Sequence, residues 1–325
     1  MARERGATTK TIILGVLMIA GIAIPFFSGN FIIRFFTNAL MFAVLASAWN
    51  IIGGYTGYAS FGNVVFLGVG AYVSAVLMEK GGVPFWIAFP ASGVGAAVFA
   101  VLIGLPVLRL KGHYFAIATL GVAEAMKALV DNLEITEGNS GIYLPVMNLS
   151  VKAQYVFFYF MMLGVLVLTL GVTFVVLKKK LGYGLIAIRE DEEAANSLGV
   201  NTTLFKVTSF ALSGFFSGLA GSLYAYQQGF IKPESVFDVG VTVKMIVMAV
   251  FGGIGSLLGP LVGALSIEII SEVLTNYFLV AHTLFFGAIV ILAIVFTPRG
   301  IMDILSGRRK FGLNYLLQNI RNHRV

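Results

Sequence analysis

Cysteine is absent from the 325-residue chain, and histidine occurs only at His113, His282 and His323. Without cysteine, the protein can form neither disulfide bonds nor thiolate metal sites. The three histidines are scattered along the sequence and make no ligand cluster. We therefore predict no metal site.

Charge is also scarce, since Asp, Glu, Lys and Arg make up 11% of the residues, whereas soluble domains carry roughly 25%. Hydrophobic residues make up 58%, and the mean hydropathy is +0.92. Apolar runs of about 20 residues, enough to cross ~30 Å of hydrocarbon, recur along the whole length. They lack the period-two alternation of barrel strands, so helices are predicted. The expected fold class is an all-α polytopic membrane protein with a single transmembrane domain over residues 1–325.

Enzyme signatures are missing as well. The sequence has no Gly-Lys dipeptide and therefore no P-loop, and neither H-E-x-x-H nor G-x-S-x-G occurs. We expect a protein that is not an enzyme, has no ATPase site of its own and holds no cofactor. Uphill transport would then draw its energy from an ion gradient or from another polypeptide.

About ten transmembrane helices are predicted. They lie near residues 11–27, 32–52, 61–78, 85–108, 113–131, 155–177, 204–228, 240–257, 260–280 and 283–297. The first span follows a basic segment and is similar to a signal peptide, but no A-x-A-like cleavage site follows it, which favours a retained helix.

The basic residues predict the orientation of these spans. With a cytoplasmic N-terminus, fifteen of the 22 Lys and Arg residues lie in internal segments, and only Lys80, Lys152 and Lys232 lie in outer loops. This is the bias of the positive-inside rule, and it explains the net charge of +7 better than nucleic acid binding does. Both termini are expected in the cytoplasm, together with a long loop at about 178–203 and a basic tail at about 298–325.

Two glycine-rich stretches share a pattern, NIIGGYTGYASFGNVVFLGVGAY at 50–72 and AVFGGIGSLLGPLVGA at 249–264. Small residues allow close helix packing, and glycine interruptions at matching places also point to the central pathway of a transporter. Both interpretations remain open. The candidate pathway residues are Gly53, Gly54, Gly57, Ser60, Gly62, Gly252, Gly253, Gly255 and Gly259.

Five ionisable residues fall inside the predicted spans. Glu124 and Lys127 are three apart and could pair on one helix face. Glu268 and Glu272 repel each other unless a basic neighbour such as Lys244 lies between them. These groups form structural ion pairs or lie nearer a membrane surface than the predicted spans suggest. Alternatively, Glu268, Glu272 and Lys244 form the ion or proton site of a secondary transporter that needs no partner.

The long internal loop contains an acid-rich sequence, IREDEEAANSLGV at 188–200. Asp191 is a good N-cap residue, and Gly199 suits a helix end. The pattern predicts a helix of about seven residues, roughly 10 Å long. Its apolar edge would consist of Ala194, Ala195 and Leu198. So short a helix is marginal in water, so it either packs against something or is a solvated acidic loop.

The same stretch resembles the EAA loop of bacterial ABC importer permeases, E-A-A-x-x-x-G, which is matched by Glu193, Ala194, Ala195 and Gly199. In that family the loop forms a coupling helix that docks into a groove on the cytosolic ATPase. The resemblance assigns this role to Arg189, Glu190, Asp191, Glu192, Glu193, Ala194, Ala195, Leu198 and Gly199. The family's downstream I-x-L-P is replaced here by SFAL at 209–212, which points to a particular branch.

That branch is the LivM-like permeases of branched-chain amino acid importers, which the chain resembles over most of its length. Six motifs in the family's order carry the likeness. They are the stretch at 50–72, GHYFAIATLG (112–121), TEGNSGI (136–142), GYGLIAIREDEEAANSLGV (182–200), FALSGFFSGLAGSLYA (210–225) and VFGGIGSLLGPLVGA (250–264). Glu137 replaces a glycine that is usual in the family's outer loop.

The resemblance implies an ATP-driven importer that works by alternating access in a bacterial or archaeal cytoplasmic membrane. The implied partners are a second homologous permease chain, two cytosolic ATPases that bind ATP and Mg, and a periplasmic or extracellular substrate-binding protein. Branched-chain amino acids are the expected substrate. Urea, short amides or other amino acids remain alternatives.

Overall fold

The computed structural model describes residues 21, 24–277, 287 and 300–302. Within these residues the elements follow one another as α1 (Asn30–Thr56), α2 (Val64–Glu79), α3 (Phe85–Val107), α4 (His113–Asn132), β1 (Ile142–Tyr143), α5 (Val151–Leu177), α6 (Lys180–Glu190), α7 (Glu192–Ser197), α8 (Thr202–Gln228), β2 (Phe230–Ile231), α9 (Pro233–Val236), α10 (Val239–Gly253) and α11 (Gly259–Tyr277). Two 3₁₀ turns, Glu134–Thr136 and Gly138–Ser140, precede β1.

Five helical segments of the described residues are long and apolar enough to cross a membrane. They are α1, α3, α5, α8 and the stretch Pro233–Gly253 that contains α9 and α10. The predicted all-α, multi-pass membrane architecture is confirmed at this level. Predicted spans at 32–52, 61–78, 113–131 and 260–280 also coincide with helices, although α2 is shorter and α4 and α11 carry ionisable residues.

Two predicted spans, near 11–27 and 283–297, lie largely outside the described residues, and so does nearly all of the tail at 298–325. The total of ten spans therefore stays a prediction. The predicted span at 240–257 was too long. Its helix ends at Gly253, because Gly253 and Gly255 take positive φ angles of 126° and 72°, which α-helical backbone does not allow.

Helix α1 is the centre of the bundle. It is buried almost continuously from Ala39 to Thr56 and packs against α5, α8, α10 and α11. The α3–α8 contact is made by small residues, since a Cβ on Gly218 would lie 2.5 Å from the Cβ of Ala96. Without large side chains between them, the two backbones approach closely.

Segments that were predicted to be outer loops meet at one end of the bundle. There β1 pairs antiparallel with β2, with Ile142 opposite Ile231. Lys80, just after α2, forms a 3.6 Å ion pair with Glu137. Glu137 has a φ of 58°, a left-handed conformation that favours glycine, which accounts for the glycine usual at this position in the family it resembles. Segments predicted to be internal meet at the opposite end.

Candidate functional site

The acid-rich stretch forms the short helix α7 in the described structure. Asp191 has extended backbone angles, and its Oδ1 accepts hydrogen bonds from the backbone N–H groups of Glu193 at 2.9 Å and Ala194 at 3.0 Å. Gly199 ends the turn with a φ of +85°. The predicted N-cap and glycine end are confirmed, and the helix has six residues rather than about seven.

The predicted apolar edge of α7 is wrong in part. Ala195 is buried, whereas Ala194 is exposed and Leu198 is 86% exposed. Helix α7 ends at Ser197, so Leu198 is its C-cap residue and no longer continues the helical face. A large apolar side chain therefore stands in the open next to the acidic residues.

Glu192 reaches inward from α7 to a buried lysine. Lys206 of α8 is 4% exposed, and its Nζ donates to the Glu192 Oε1 at 2.6 Å, to the Leu108 carbonyl at 2.8 Å and to the Tyr58 hydroxyl at 3.1 Å. The Tyr58 hydroxyl in turn donates to the other carboxylate oxygen of Glu192. All three donors of the ammonium are used.

Two carboxylates of α7 thus lie in different surroundings. Burial raises the pKa of the Glu192 carboxyl, but hydrogen bonds from Lys206 and Tyr58 outweigh it and hold that pKa below its ordinary value. Glu193 instead pairs with Lys111 at 2.9 Å on the open surface, and this hydrogen bond raises the pKa of Lys111. The buried pair fixes α7 to the bundle more firmly than the exposed pair, which water screens.

Sequence reasoning missed Lys206 and Tyr58. A signal was present, because Lys206 falls within the apolar span predicted at 204–228, where an ionisable residue is costly. Tyr58 carried no such signal, since only the fold places its hydroxyl beside a residue 134 positions away.

Arg189 joins the acid-rich stretch to both glycine-rich stretches. Its Nη1 donates to the Gly54 carbonyl at 2.8 Å and lies 2.5 Å from the place that a Cβ on Gly255 would occupy. The two stretches are also joined directly, because the Asn50 side chain donates to the Ser256 carbonyl at 3.0 Å and accepts from the Gly255 N–H at 2.8 Å. Sequence reasoning did not name Asn50.

The residues after α1 are fastened to their neighbours by polar side chains. Thr119 of α4 accepts from the Phe61 N–H at 3.0 Å, and Trp49 donates to the Ser60 carbonyl at 2.8 Å. We call residues 57–63 the glycine loop. A Cβ on Gly62 would lie 2.0 Å from the Thr119 carbonyl oxygen, so only glycine fits there without displacing backbone.

Most of the nine candidate pathway residues are packed rather than open. The buried ones are Gly53, Gly54, Ser60, Gly62, Gly252, Gly253 and Gly259. Gly252 and Gly259 bring α10 and α11 together, since a Cβ on Gly252 would lie 1.8 Å from the Gly259 carbonyl oxygen. Gly57 is exposed and Gly255 is half-buried, so these two alone of the nine offer accessible surface. Their role in a pathway stays a prediction.

The five ionisable residues that the sequence places within spans comprise two candidate pairs and a single residue, Glu272. Lys244 of α10 and Glu268 of α11 form an ion pair at 2.5 Å, and the Lys244 ammonium also lies 4.2 Å from the centroid of the Phe42 ring. Glu124 and Lys127 lie three positions apart on α4, where they could pair, but no ion pair joins these two residues of the described structure. Glu124 is exposed instead.

Glu272 lines a cavity of about 280 Å³ at the start of α1 and the end of α8. Arg34, Asn38 and Gln227 contribute polar groups to its wall, and Phe31 and Tyr224 contribute aromatic rings. It lies at the end of α8 that is followed by β2, opposite the end where Arg189 and Lys206 meet their partners. In the described part of the chain, no group of three or more candidate ligands could hold a metal ion.

Known proteins resemble this chain over nearly its whole length. Residues 31–295 match the model of a family described as branched-chain amino acid transport system / permease component. The high-affinity branched-chain amino acid transport system permease protein LivM of Salmonella typhimurium is 32% identical over an alignment of 333 positions, which covers 94% of this chain and 78% of that protein. LivM of Escherichia coli is 31% identical with the same coverage, and Escherichia coli LivH is 27% identical over 80% of this chain and 91% of its own length.

No solved structure matches the chain significantly. The family match includes α7, both glycine-rich stretches and every contact of Lys206 and Arg189 described above. With apolar helices, a capped acidic helix at one end and a match that spans most of its residues, the chain belongs to the family of permease components of branched-chain amino acid transport systems.

Proposed function

We propose that this chain is the transmembrane permease subunit of an ATP-driven importer for branched-chain amino acids and works by alternating access. The observation that carries the proposal is its membership of a family of permease components, together with an exposed acidic helix at one end of an apolar bundle. The subunit crosses the cytoplasmic membrane of a bacterium or archaeon about ten times and keeps both termini in the cytoplasm.

Four kinds of chain make up the proposed importer. A second homologous permease completes the pathway, two cytosolic ATPases bind ATP and Mg, and a binding protein delivers substrate at the outer face. The names of the similar proteins support this arrangement, since LivM and LivH are each called a permease protein of a transport system.

Helix α7 is the proposed coupling helix. Its exposed side includes Leu198, which is 86% exposed, and Glu193, whose side chain is 84% exposed. An exposed apolar side chain beside acidic groups is suited to binding in a groove on a partner. Its burial there removes apolar surface from water, which is favourable. The opposite side of α7 is fixed to the bundle by Glu192 and Ala195.

The cavity at the other end of the bundle supports an amino acid as the substrate. A guanidinium, a carboxylate and carboxamides line it beside aromatic rings. An α-amino acid with an aliphatic side chain needs groups of this kind, since its two charges and its apolar part must all be accommodated. Urea and short amides lack the charges.

The accessible glycines Gly57 and Gly255 are the proposed contribution of the glycine-rich stretches to the pathway. Both lie beside Arg189, Gly57 near its Cγ and Gly255 near its Nη1. An ion-coupled carrier receives less support, because Lys244 and Glu268 neutralise each other as a close ion pair in the described structure.

The first experiment is gentle purification of the tagged chain from its native membrane and analysis of what co-elutes. We expect a Walker-motif ATPase and a second permease. The same complex in liposomes should take up leucine when ATP and the binding protein are supplied, and excess urea should not compete. A chain that elutes alone and takes up leucine under an ion gradient would overturn the proposal.

The coupling role of α7 is tested by Leu198→Asp. The matched control is Val146→Asp, because Val146 is 87% exposed and lies in the loop before α5, far from α7. Leu198→Asp should weaken ATPase binding by about tenfold or more, as loss of a buried apolar anchor does, while Tm stays unchanged for both variants. Equal ATPase recovery with the two variants would show that α7 is not the docking site.

A further inference from the structure

Lys206 connects three segments that are distant in the sequence. Its ammonium hydrogen-bonds Glu192 of α7, Tyr58 of the glycine loop and the carbonyl of Leu108, the C-cap residue of α3. Lys206 itself belongs to α8, a helix of 27 residues with buried residues along most of its length. Four parts of the bundle therefore meet at one nitrogen atom.

The aromatic ring of Tyr58 strengthens this connection. The Lys206 Nζ lies 4.6 Å from its centroid, and the ring packs edge-to-face on Phe115 of α4 with centroids 5.2 Å apart. The ammonium is thus held by a carboxylate, a carbonyl, a hydroxyl and an aromatic face. Water cannot replace these partners easily, because the lysine side chain is only 5% exposed.

Such a cluster makes its members move together. If α7 shifted and Lys206 stayed, a buried ammonium would lose its counter-ion, and an unpaired buried charge is strongly destabilising. If the glycine loop shifted alone, the Tyr58 hydroxyl would lose both its donor and its acceptor. Lower-energy movements keep the cluster whole.

We propose that Lys206 is the positioning residue through which movement of α7 reaches the glycine loop and the end of α3. This inference rests on the proposed function, in which α7 receives the force of the ATPase. Helix α7 has six residues and is too short to transmit force through its own stability. Asp191, the residue that joins it to α6, has an extended backbone. The buried cluster supplies the rigid connection.

A purely stabilising role makes a different prediction. Buried ion pairs can often be replaced by apolar residues of similar size without loss of stability. The triple variant Tyr58→Phe, Glu192→Leu and Lys206→Met removes every polar side chain of the cluster at once and leaves no buried side-chain charge behind. If the cluster served stability alone, this variant would behave as the wild type once it had folded.

The experiment uses the complete complex in liposomes and measures leucine molecules transported per ATP hydrolysed. The triple variant should assemble with the ATPase and hydrolyse ATP, yet its ratio should fall at least about fivefold, the scale of typical coupling between sites. The control is Lys111→Met, which removes the exposed ion pair of the same helix, leaves Glu193 in place and should keep the wild-type ratio.

Two outcomes separate this inference from the proposed function. A wild-type complex without ATP-dependent leucine uptake would overturn the proposed function and the inference with it. Uptake in the wild type with an unchanged ratio in the triple variant would overturn the inference alone. Should the triple variant fail to assemble, Glu192→Gln against Glu193→Gln decides, because only the former weakens the buried cluster, and equal ratios for the two would refute the role of Lys206.

Discussion

Gly57 and Gly255 both lie beside the Arg189 side chain, and both have left-handed backbones, with φ angles of 78° and 72°. A Cβ on Gly57 would lie 3.5 Å from the Cγ of Arg189, an ordinary contact, so a larger side chain would enter the space beside the guanidinium. At this scale the accessible surface of the glycine-rich stretches is determined by two residues, because the other seven candidates are buried.

Gly57→Leu should reduce leucine uptake by roughly tenfold, equivalent to about 1.4 kcal/mol, without preventing assembly. The substitution also strains the backbone by about 1–2 kcal/mol, since side chains disfavour the left-handed region. Gly82→Leu is the matched control, because Gly82 has a φ of 60° and open space around its would-be Cβ in a loop at the other end of the bundle. Equal uptake by the two variants would remove Gly57 from the pathway.

Most residue-level features of α7 could be predicted from the sequence, and its contacts could not. Asp191 and Gly199 act through backbone atoms within a few positions, so their residue types suffice to predict a cap and a helix end. The Glu192–Lys206 pair depends on how α8 packs beside α7, which no local pattern encodes.

Helices α3 and α8 are held together by a seam of small residues. Gly214 and Gly218 of α8 approach Ala96 and Ala100 of α3, and a Cβ on Gly218 would also lie 2.8 Å from the Ser92 carbonyl oxygen. Backbones this close gain dispersion contacts along the whole seam. The seam in turn sets the distance between Leu108, at the end of α3, and Lys206, near the start of α8.

Gly218→Val should lower the Tm of the purified chain, because overpacking a tight contact costs typically about 1–3 kcal/mol. The control is Gly171→Val, also in mid-helix, where nothing lies within 4 Å of the would-be Cβ. Thermal unfolding in detergent, followed by the loss of helical circular dichroism, measures both. A Tm for Gly218→Val as high as for Gly171→Val would contradict the close α3–α8 contact.

Hydropathy predicted the positions of the helices better than it predicted their ends. Each predicted span from 32–52 to 260–280 overlaps a helix of the described residues, since every stretch must bury its own apolar surface. The short β1–β2 pair was not predicted, because Ile142 and Ile231 meet only after α5 and α8 have packed side by side.

The two ends of the whole bundle collect different segments. Loops that carry Lys80 and Glu137 meet at one end, and Arg189, Lys206 and their partners meet at the other. This separation agrees with the alternation of the predicted spans. The distribution of basic residues predicts that the end with Arg189 faces the cytoplasm.

The absence of cysteine allows a direct test of orientation. Val146→Cys and Leu198→Cys each introduce one thiol at a site of nearly equal exposure, 87% and 86%. In spheroplasts that lack the partner ATPase, a membrane-impermeant maleimide should label Val146→Cys at once and Leu198→Cys only after lysis. The reverse pattern would invert the orientation, and labelling of both thiols from outside would contradict a membrane between them.

The amino-acid sequence by itself determined the membrane class, the positions of the described helices, the cap of α7 and the family. These follow from the transfer free energy of contiguous residues and from backbone preferences, and both act locally. Only the tertiary structure decided which charges pair and which glycines stay accessible. Lys206 meets Tyr58 across 148 positions and Arg189 meets Gly54 across 135. Such contacts exist only once whole helices have packed, because a buried ammonium or guanidinium takes the partners that the packed helices leave within hydrogen-bonding distance.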